Sequence, residues 1–321
     1  MSKVLLLTDG KAGHENQSKA FARALGCEFD LVEVHFKSKF HKALSYVFDR
    51  LRIRSLFLLL ATEGTQEGHK VLRPLCVREA LCDKSQYCGV IGTGSGTFYA
   101  AKAMAKKLGV KCGVVLYPRG YHIASFDCIL APTFDRPPQA KNVIEVSANL
   151  VANDAAFYEK GVEDFKARTT LIPEIAVIVG GPNKCSTLTP EWMKARLDEI
   201  FASAGTKAVT TSRRTPAEVE ALIDSYPWDY KLLYSKDHFN PIPAFVKLAK
   251  CLYVTAESTG MLSEACTFGT AEVRVLDNLK PGRHKFRRFV EGLREAGYVE
   301  GSKKVDLTNQ FRRARELLGL G

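Results

Sequence analysis

Twice in this chain a wholly apolar run of four or five residues breaks into a glycine-bearing turn and then into a helix-patterned segment. Residues 4–7, Val-Leu-Leu-Leu, precede Gly10 and Gly13; residues 175–179, Ile-Ala-Val-Ile-Val, precede Gly180 and Gly181. A strand that is apolar at every position has no side to give to water, so it belongs in a parallel sheet covered by helices on both faces. The rest of the sequence keeps to this pattern. Further strands are expected at 31–34, 89–91, 113–116, 128–130 and 143–146, and after the restart at 207–211, 232–234, 251–255 and 272–276. Helices are expected at 15–25, 98–108, 190–204, 217–226, 243–250, 261–268, 285–296 and 308–318. Thr215-Pro216-Ala217-Glu218 has the form of a capping box with Pro at the first helical position.

The expected fold is α/β, with two Rossmann-like domains facing across a cleft. They span residues 1–168 and 169–321, joined through a charged helical stretch at 154–168, with the last helix able to cross back to the first domain. At 321 residues and 46% hydrophobic the chain can bury two cores, and disorder, collagen and coiled coil are excluded. Nine cysteines, among them Cys76, Cys82 and Cys88, show no Cys-x-x-Cys pair and read as reduced core residues. The apolar start is too short for a signal peptide and no run approaches the roughly 20 residues that span a bilayer. A cytoplasmic protein is expected. The formal charge of +11 is spread along the chain without a nucleic-acid motif, so no nucleic-acid partner is expected. An anionic phosphate substrate or an anionic membrane surface suits that charge.

Ligands of such sheets bind beyond the carboxyl ends of the strands, which directs attention to five loops. Asp9-Gly10-Lys11-Ala12-Gly13-His14-Glu15-Asn16-Gln17 places a histidine at a helix start. There the dipole disfavours its charged form, so His14 is either a general base or an exposed capping residue. The segment 92–97, with Gly94 and Ser95, is either an anion-binding nest or a plain glycine turn. Gly180-Gly181-Pro182-Asn183 offers backbone donors to phosphate. Thr210-Thr211-Ser212-Arg213-Arg214 offers hydroxyls and two guanidiniums, or a merely solvated charge pair. In Thr255-Ala256-Glu257-Ser258-Thr259-Gly260-Met261-Leu262-Ser263-Glu264 a hydroxyl–glycine turn opens a helix. The turn could carry a diphosphate, with Glu264 one turn on accepting the ribose hydroxyls; the other reading of Glu264 is a favourable charge near a helix start.

These segments, with Asn240-Pro241 and Lys285-Phe286-Arg287-Arg288-Phe289, resemble the mitochondrial-fission Elm / GtrOC-type glycosyltransferase family, and the matches are collinear over nearly the whole chain. The 258–264 segment also resembles the donor-binding segment of the N-acetylglucosaminyltransferase that makes lipid II. The resemblance implies a GT-B architecture, with the acceptor on the first domain and a nucleoside-diphosphate-sugar donor on the second. It assigns the diphosphate to Gly181, Ser258, Thr259 and Gly260 and the ribose to Glu264. Ser212, Arg213, Arg214, Asn240 and Pro241 line the donor side, which also takes in Asn183 and Met261. His14, with Asp9, falls at the catalytic position, and Gly10, Gly13, Glu15, Asn16, Gly94 and Ser95 form the acceptor-side loops. The segment Tyr117-Pro118-Arg119-Gly120 departs from the family's pattern, as does 92–97, so the acceptor's identity does not carry over. The sequence contains no Asp-x-Asp, and neither a metal nor another cofactor is expected.

The expected activity is transfer of a hexosyl or N-acetylhexosaminyl group to a lipid-linked or envelope-glycan acceptor. The alternatives are a nucleotide-sugar epimerase or hydrolase of the same fold, with Asp9 and Glu15 as its carboxylates, and a non-catalytic membrane-associated interaction protein. Residues 36–60 interleave six Lys/Arg with large apolar side chains. This stretch reads either as a surface lying on an anionic membrane, on the cytoplasmic face, or as an ordinary packed helix with a basic flank.

Overall fold

In the computed structural model, which describes residues 2–64, 70–74 and 86–320, the first apolar run sits in β1 (Lys3–Thr8), with Leu5, Leu6 and Leu7 fully buried. It leads into α1 (Ala12–Ala24), β2 (Glu28–Phe36), α2 (Lys39–Arg50), β3 (Leu59–Gly64), β4 (Lys70–Pro74), β5 (Gly89–Thr93), α3 (Phe98–Leu108), β6 (Lys111–Val115), β7 (Cys128–Pro132) and β8 (Val143–Val146). These strands form one sheet in the order β4-β3-β2-β1-β5-β6-β7-β8. From β2 through β8 along this order every pair is parallel, and Leu6 faces Leu31 on one side and Ile91 on the other. The β3–β4 hairpin extends the β2 edge in antiparallel fashion.

The second unit starts with α4 (Ala155–Lys166), then β9 (Ile175–Ile178), α5 (Pro190–Phe201), β10 (Lys207–Thr210), α6 (Ala217–Asp224), β11 (Tyr230–Leu232), α7 (Ile242–Leu248), β12 (Cys251–Thr255), α8 (Thr259–Phe268), β13 (Glu272–Leu276) and α9 (Lys285–Glu295). Its five strands are all parallel, in the order β11-β10-β9-β12-β13. Consecutive connections run outward from β9 in one direction and, after α7, restart on its other side. That reversal is the topological switch point of a doubly wound sheet. In the first sheet the corresponding reversal lies between β1 and β5.

The chain divides into Met1–Val146 with Leu307–Gly321, and Ser147–Asp306. The division falls before α4, where the sequence suggested 168. The cause is aromatic packing. Phe165 stands edge-on to Tyr230 (centroids 4.9 Å apart) and Phe245 (5.8 Å), and Tyr158 stacks on Phe268 (4.6 Å). Gly161 lets α4 approach α7, since a Cβ there would meet Pro243 Cβ at 2.5 Å. The last helix, α10 (Thr308–Leu318), belongs to the first unit; Phe311 packs near Phe21, and Arg313 donates to the Lys141 carbonyl at 2.8 Å.

Seven cysteines are free thiols, four of them buried; Cys76 and Cys82 lie outside the described residues. Burial pushes the Cys128 and Cys266 thiols up to about 12. Among the described residues no helix is long and apolar enough to cross a membrane.

Candidate functional site

Four of the loops singled out above follow the two pairs of strands that flank the switch points: β1 and β5 in the first unit, β9 and β12 in the second. Each unit carries its own cluster.

In the first unit the chain leaves β1 at Thr8 and starts α1 at Ala12, earlier than the pattern suggested, so His14 lies in the first helical turn. Its Nδ1 sits 2.9 Å from Asp9 Oδ1, and Lys11 Nζ donates to Asp9 Oδ2 at 2.8 Å. Burial pulls the Asp9 carboxyl upward, but hydrogen bonds from Lys11 and His14 outweigh it and hold Asp9 below the ordinary carboxylate range. An ionised Asp9 at this distance places the imidazole proton on Nδ1 and leaves Nε2 as the basic nitrogen. The 92–97 loop supplies the space for the pair. Gly94 has φ +84° and a Cβ on it would meet His14 Cε1 at 2.3 Å; a Cβ on Gly96 would meet Asp9 Cβ at 2.7 Å. Gly10, with φ +76°, has Glu33 where its Cβ would be. Ser95 accepts from Lys42 Nζ at 3.1 Å, Glu15 pairs with Lys19 at 2.7 Å, and Gly13 and Asn16 are exposed at the helix start.

In the second unit three loops interlock. Gly180 N–H donates to Thr255 Oγ1 at 2.9 Å, and its missing Cβ makes room for Glu257 Oε1. Gly181 lies against Arg214, whose Cβ and carbonyl oxygen are each 2.3 Å from where a Cβ would stand. Thr215 Oγ1 donates to the Gly180 carbonyl at 2.7 Å and accepts from Ser212 N–H at 2.9 Å. The capping box read from 215–218 does not form: α6 begins at Ala217 with Pro216 as its cap, because the Thr215 hydroxyl is used to tie the β9 and β10 loops together. Arg213 and Arg214 are exposed, and neither has an ion-pair partner among the described residues.

The loop after β12 enters α8 at Thr259, two residues before the expected start, with Ser258 as a cap that makes no side-chain hydrogen bond. Nothing lies within 4 Å of where a Gly260 Cβ would be, so the start of α8 is open. Glu264 accepts from Tyr158 OH at 2.8 Å; burial raises its carboxyl above the ordinary range, against hydrogen bonds from Tyr158 and Asn153. Asn183 builds its own turn, accepting from Cys185 N–H at 2.7 Å, and residues 184–189 separate it from α5, so the glycine pair is not at a helix start. Asn240 accepts from Ile242 N–H at 3.2 Å just ahead of α7, whose cap, Pro241, is buried; no hydrogen bond among the described residues joins them to the Gly181–Arg214 cluster. Met261 is half-buried on α8.

No sequence motif assigns a role to Glu257. It is 3% exposed and accepts from Thr255 Oγ1 at 3.0 Å, while its Oε2 has no hydrogen-bond partner among the described residues. Buried Asn278 beside it is likewise without partners on its side-chain oxygen and nitrogen. Burial pushes the Glu257 carboxyl up. A carboxylate directly after an apolar strand was the available signal. Among the described residues no three His, Cys, Asp or Glu cluster in a way that could hold a metal ion.

The chain matches the family described as Mitochondrial fission ELM1 over residues 12–315. It belongs to that family. One ELM1 relative, the mitochondrial fission protein ELM1 of Arabidopsis thaliana, is 26% identical over 242 residues, covering 65% of this chain; the chain spans only 56% of that protein's length. Among solved structures, the Neisseria meningitidis UDP-GlcNAc 2-epimerase bound to UDP-GlcNAc matches 100% of both chains at 11% identity and a TM-score of 0.53. Arabidopsis thaliana UGT89C1 complexed with UDP matches 99% of this chain and 90% of its own, at 10% identity and 0.53. Acinetobacter baumannii MurG matches 100% and 93%, at 13% identity and 0.50. At such identities the likeness establishes the fold: this ELM1-family chain has the GT-B type of architecture, with two doubly wound α/β units.

Proposed function

We propose that this chain is a cytoplasmic, metal-independent glycosyltransferase that moves a hexosyl or N-acetylhexosaminyl group from a nucleoside-diphosphate-sugar to an acceptor hydroxyl, the acceptor being lipid-linked or an envelope glycan. The observation that carries the reading is the Asp9–His14 pair, seated by Gly94 and Gly96 at the first switch point. A fold alone does not fix a function; a histidine aligned by an ionised carboxylate at a ligand-binding strand end supplies a general base. His14 Nε2 takes the acceptor's proton as its oxygen attacks the sugar C1, and Asp9 stabilises the imidazolium that results. The C1–O bond to the diphosphate breaks with its electron pair on the leaving group. The open N-terminus of α8 at Ser258, Thr259 and Gly260, the Gly181 turn, and the exposed Arg213 and Arg214 receive that charge.

The fold is shared with proteins solved with UDP or UDP-GlcNAc, which supports a nucleoside-diphosphate ligand; the open start of α8 and the Gly181 turn favour the second unit for it. Glu264 serves the ribose in this reading through a carboxylate already oriented by Tyr158. His14→Ala is expected to lower transfer by about 10²–10⁴-fold while leaving donor affinity intact, measured by initial rates and by calorimetry with the donor. The epimerase or hydrolase alternative requires a free carboxylate pair, whereas Asp9 is engaged by Lys11 and His14 and Glu15 by Lys19. Product analysis without acceptor separates the two, because a sugar epimerised or released in the absence of acceptor contradicts transfer as the main reaction. Binding of nucleotide without turnover on any acceptor would favour an interaction protein.

A further inference from the structure

α2 packs Leu44, Tyr46 and Phe48 against the core yet leaves a second apolar stripe uncovered. Its buried residues are Ser45 and Asp49, whereas Phe40, Val47 and Leu51 on the opposite face are exposed. Spacings of seven and four put those three in one stripe along the helix. Past the helix end Ile53 and Phe57 are exposed as well. Five of the nine exposed large apolar side chains among the described residues therefore lie between 40 and 57, which makes a patch and not scatter.

Buried chemistry fixes this orientation. Asp49 accepts from Lys102 Nζ at 2.5 Å and from His122 N–H at 2.6 Å, and pairs with Arg54 at 3.3 Å. Ser45 Oγ lies 2.9 Å from Tyr121 OH. With Ser45 and Asp49 held inward, the opposite side of α2, carrying Phe40, Val47 and Leu51, is left exposed.

That apolar face is flanked by cations. Lys39, Arg50 and Arg52 are exposed and have no ion-pair partner among the described residues, and Lys37 Nζ sits 3.5 Å from the Phe57 ring centroid. Beside Phe57 a cavity of about 540 Å³ is lined by Arg54, Lys106 and Lys107 as well. The only acid between residues 36 and 60 is Asp49, which faces inward.

We propose that this face docks onto an anionic lipid surface, with Phe40, Val47, Leu51, Ile53 and Phe57 entering the headgroup–acyl boundary and Lys39, Arg50 and Arg52 meeting lipid phosphates. An apolar stripe with a basic flank is the geometry of an interfacial helix. Pairing with a second copy would bring like charges together, whereas an anionic surface neutralises them. The proposal stands apart from the nucleotide-sugar reading, because lipid binding is measured without nucleotide.

The test is flotation of the full chain with vesicles of phosphatidylcholine alone or with added phosphatidylglycerol, at low and high salt. Wild type is expected to float only with the anionic vesicles, and less so at high salt. A Lys39→Gln, Arg50→Gln, Arg52→Gln variant should lose partitioning on the order of 100-fold. A Phe40→Ser, Val47→Ser, Leu51→Ser variant should lose at least about tenfold. All six positions are exposed, so both variants should keep the wild-type Tm. Failure of wild type to bind anionic vesicles would overturn the proposal. So would undiminished binding by the apolar variant, or a wild-type dimer in sedimentation that this variant abolishes.

Discussion

Gly94 and Gly96 are glycines because His14 and Asp9 occupy the space their side chains would need. The sequence left the 92–97 segment between an anion nest and a plain turn; in the structure it is the seat of the histidine pair. Gly94→Ala both forces a left-handed φ on an L residue and pushes His14 aside, so turnover should fall on the order of 100-fold with donor affinity unchanged. Glu257 makes a different prediction. Burial raises its folded-state pKa above the unfolded value, so the native state holds a proton that the unfolded chain has lost, and stability falls as pH rises through that window. Glu257→Gln should therefore raise Tm by about 2–4 °C near pH 8 and hardly change it near pH 4, read by thermal unfolding across pH. His14 and Gly181 were legible in the sequence because local order alone places them after strands. Glu257 was not, since its meaning comes from Gly180 and Asn278, far away in the chain.

α2 and the 212–218 turn show what element-level patterns leave open. Apolar periodicity says which residues share a helix face but not which face points inward. For α2 that choice is made by Asp49 with Lys102 and the backbone at His122, both distant in the chain, and with Arg54 just past the helix end. Asp49→Ala strands Lys102 in a site where burial already lowers it to about 8. Removing one partner of such a pair typically costs about 3–5 kcal/mol, which denaturant unfolding of the full chain should register as loss of the first unit's stability. The capping box failed for a similar reason: Thr215 has the right spacing, yet its hydroxyl is worth more bridging Gly180 and Ser212. The β3–β4 hairpin was missed because its first strand reads as a continuation of the apolar run before it.

Across the whole molecule, the alternation of apolar strands and helices was enough to give two α/β units, because a parallel sheet must be covered on both faces and its strands show it locally. The strand orders that place Asp9–His14 at one switch point and Gly181–Arg214–Glu257 at another depend on pairing across the chain, which no local pattern encodes. Three adjacent features mark the second unit as the donor side: the open start of α8, the Gly181 turn and two exposed guanidiniums that make no ion pair among the described residues. The most direct measurement is thermal unfolding of the full chain with a panel of nucleoside diphosphates and nucleotide-sugars, with and without EDTA. At least one of them is expected to raise Tm, EDTA should leave the shift in place, and Arg213→Ala with Arg214→Ala should remove most of it. No shift with any nucleotide, or a shift that EDTA abolishes, would contradict this reading.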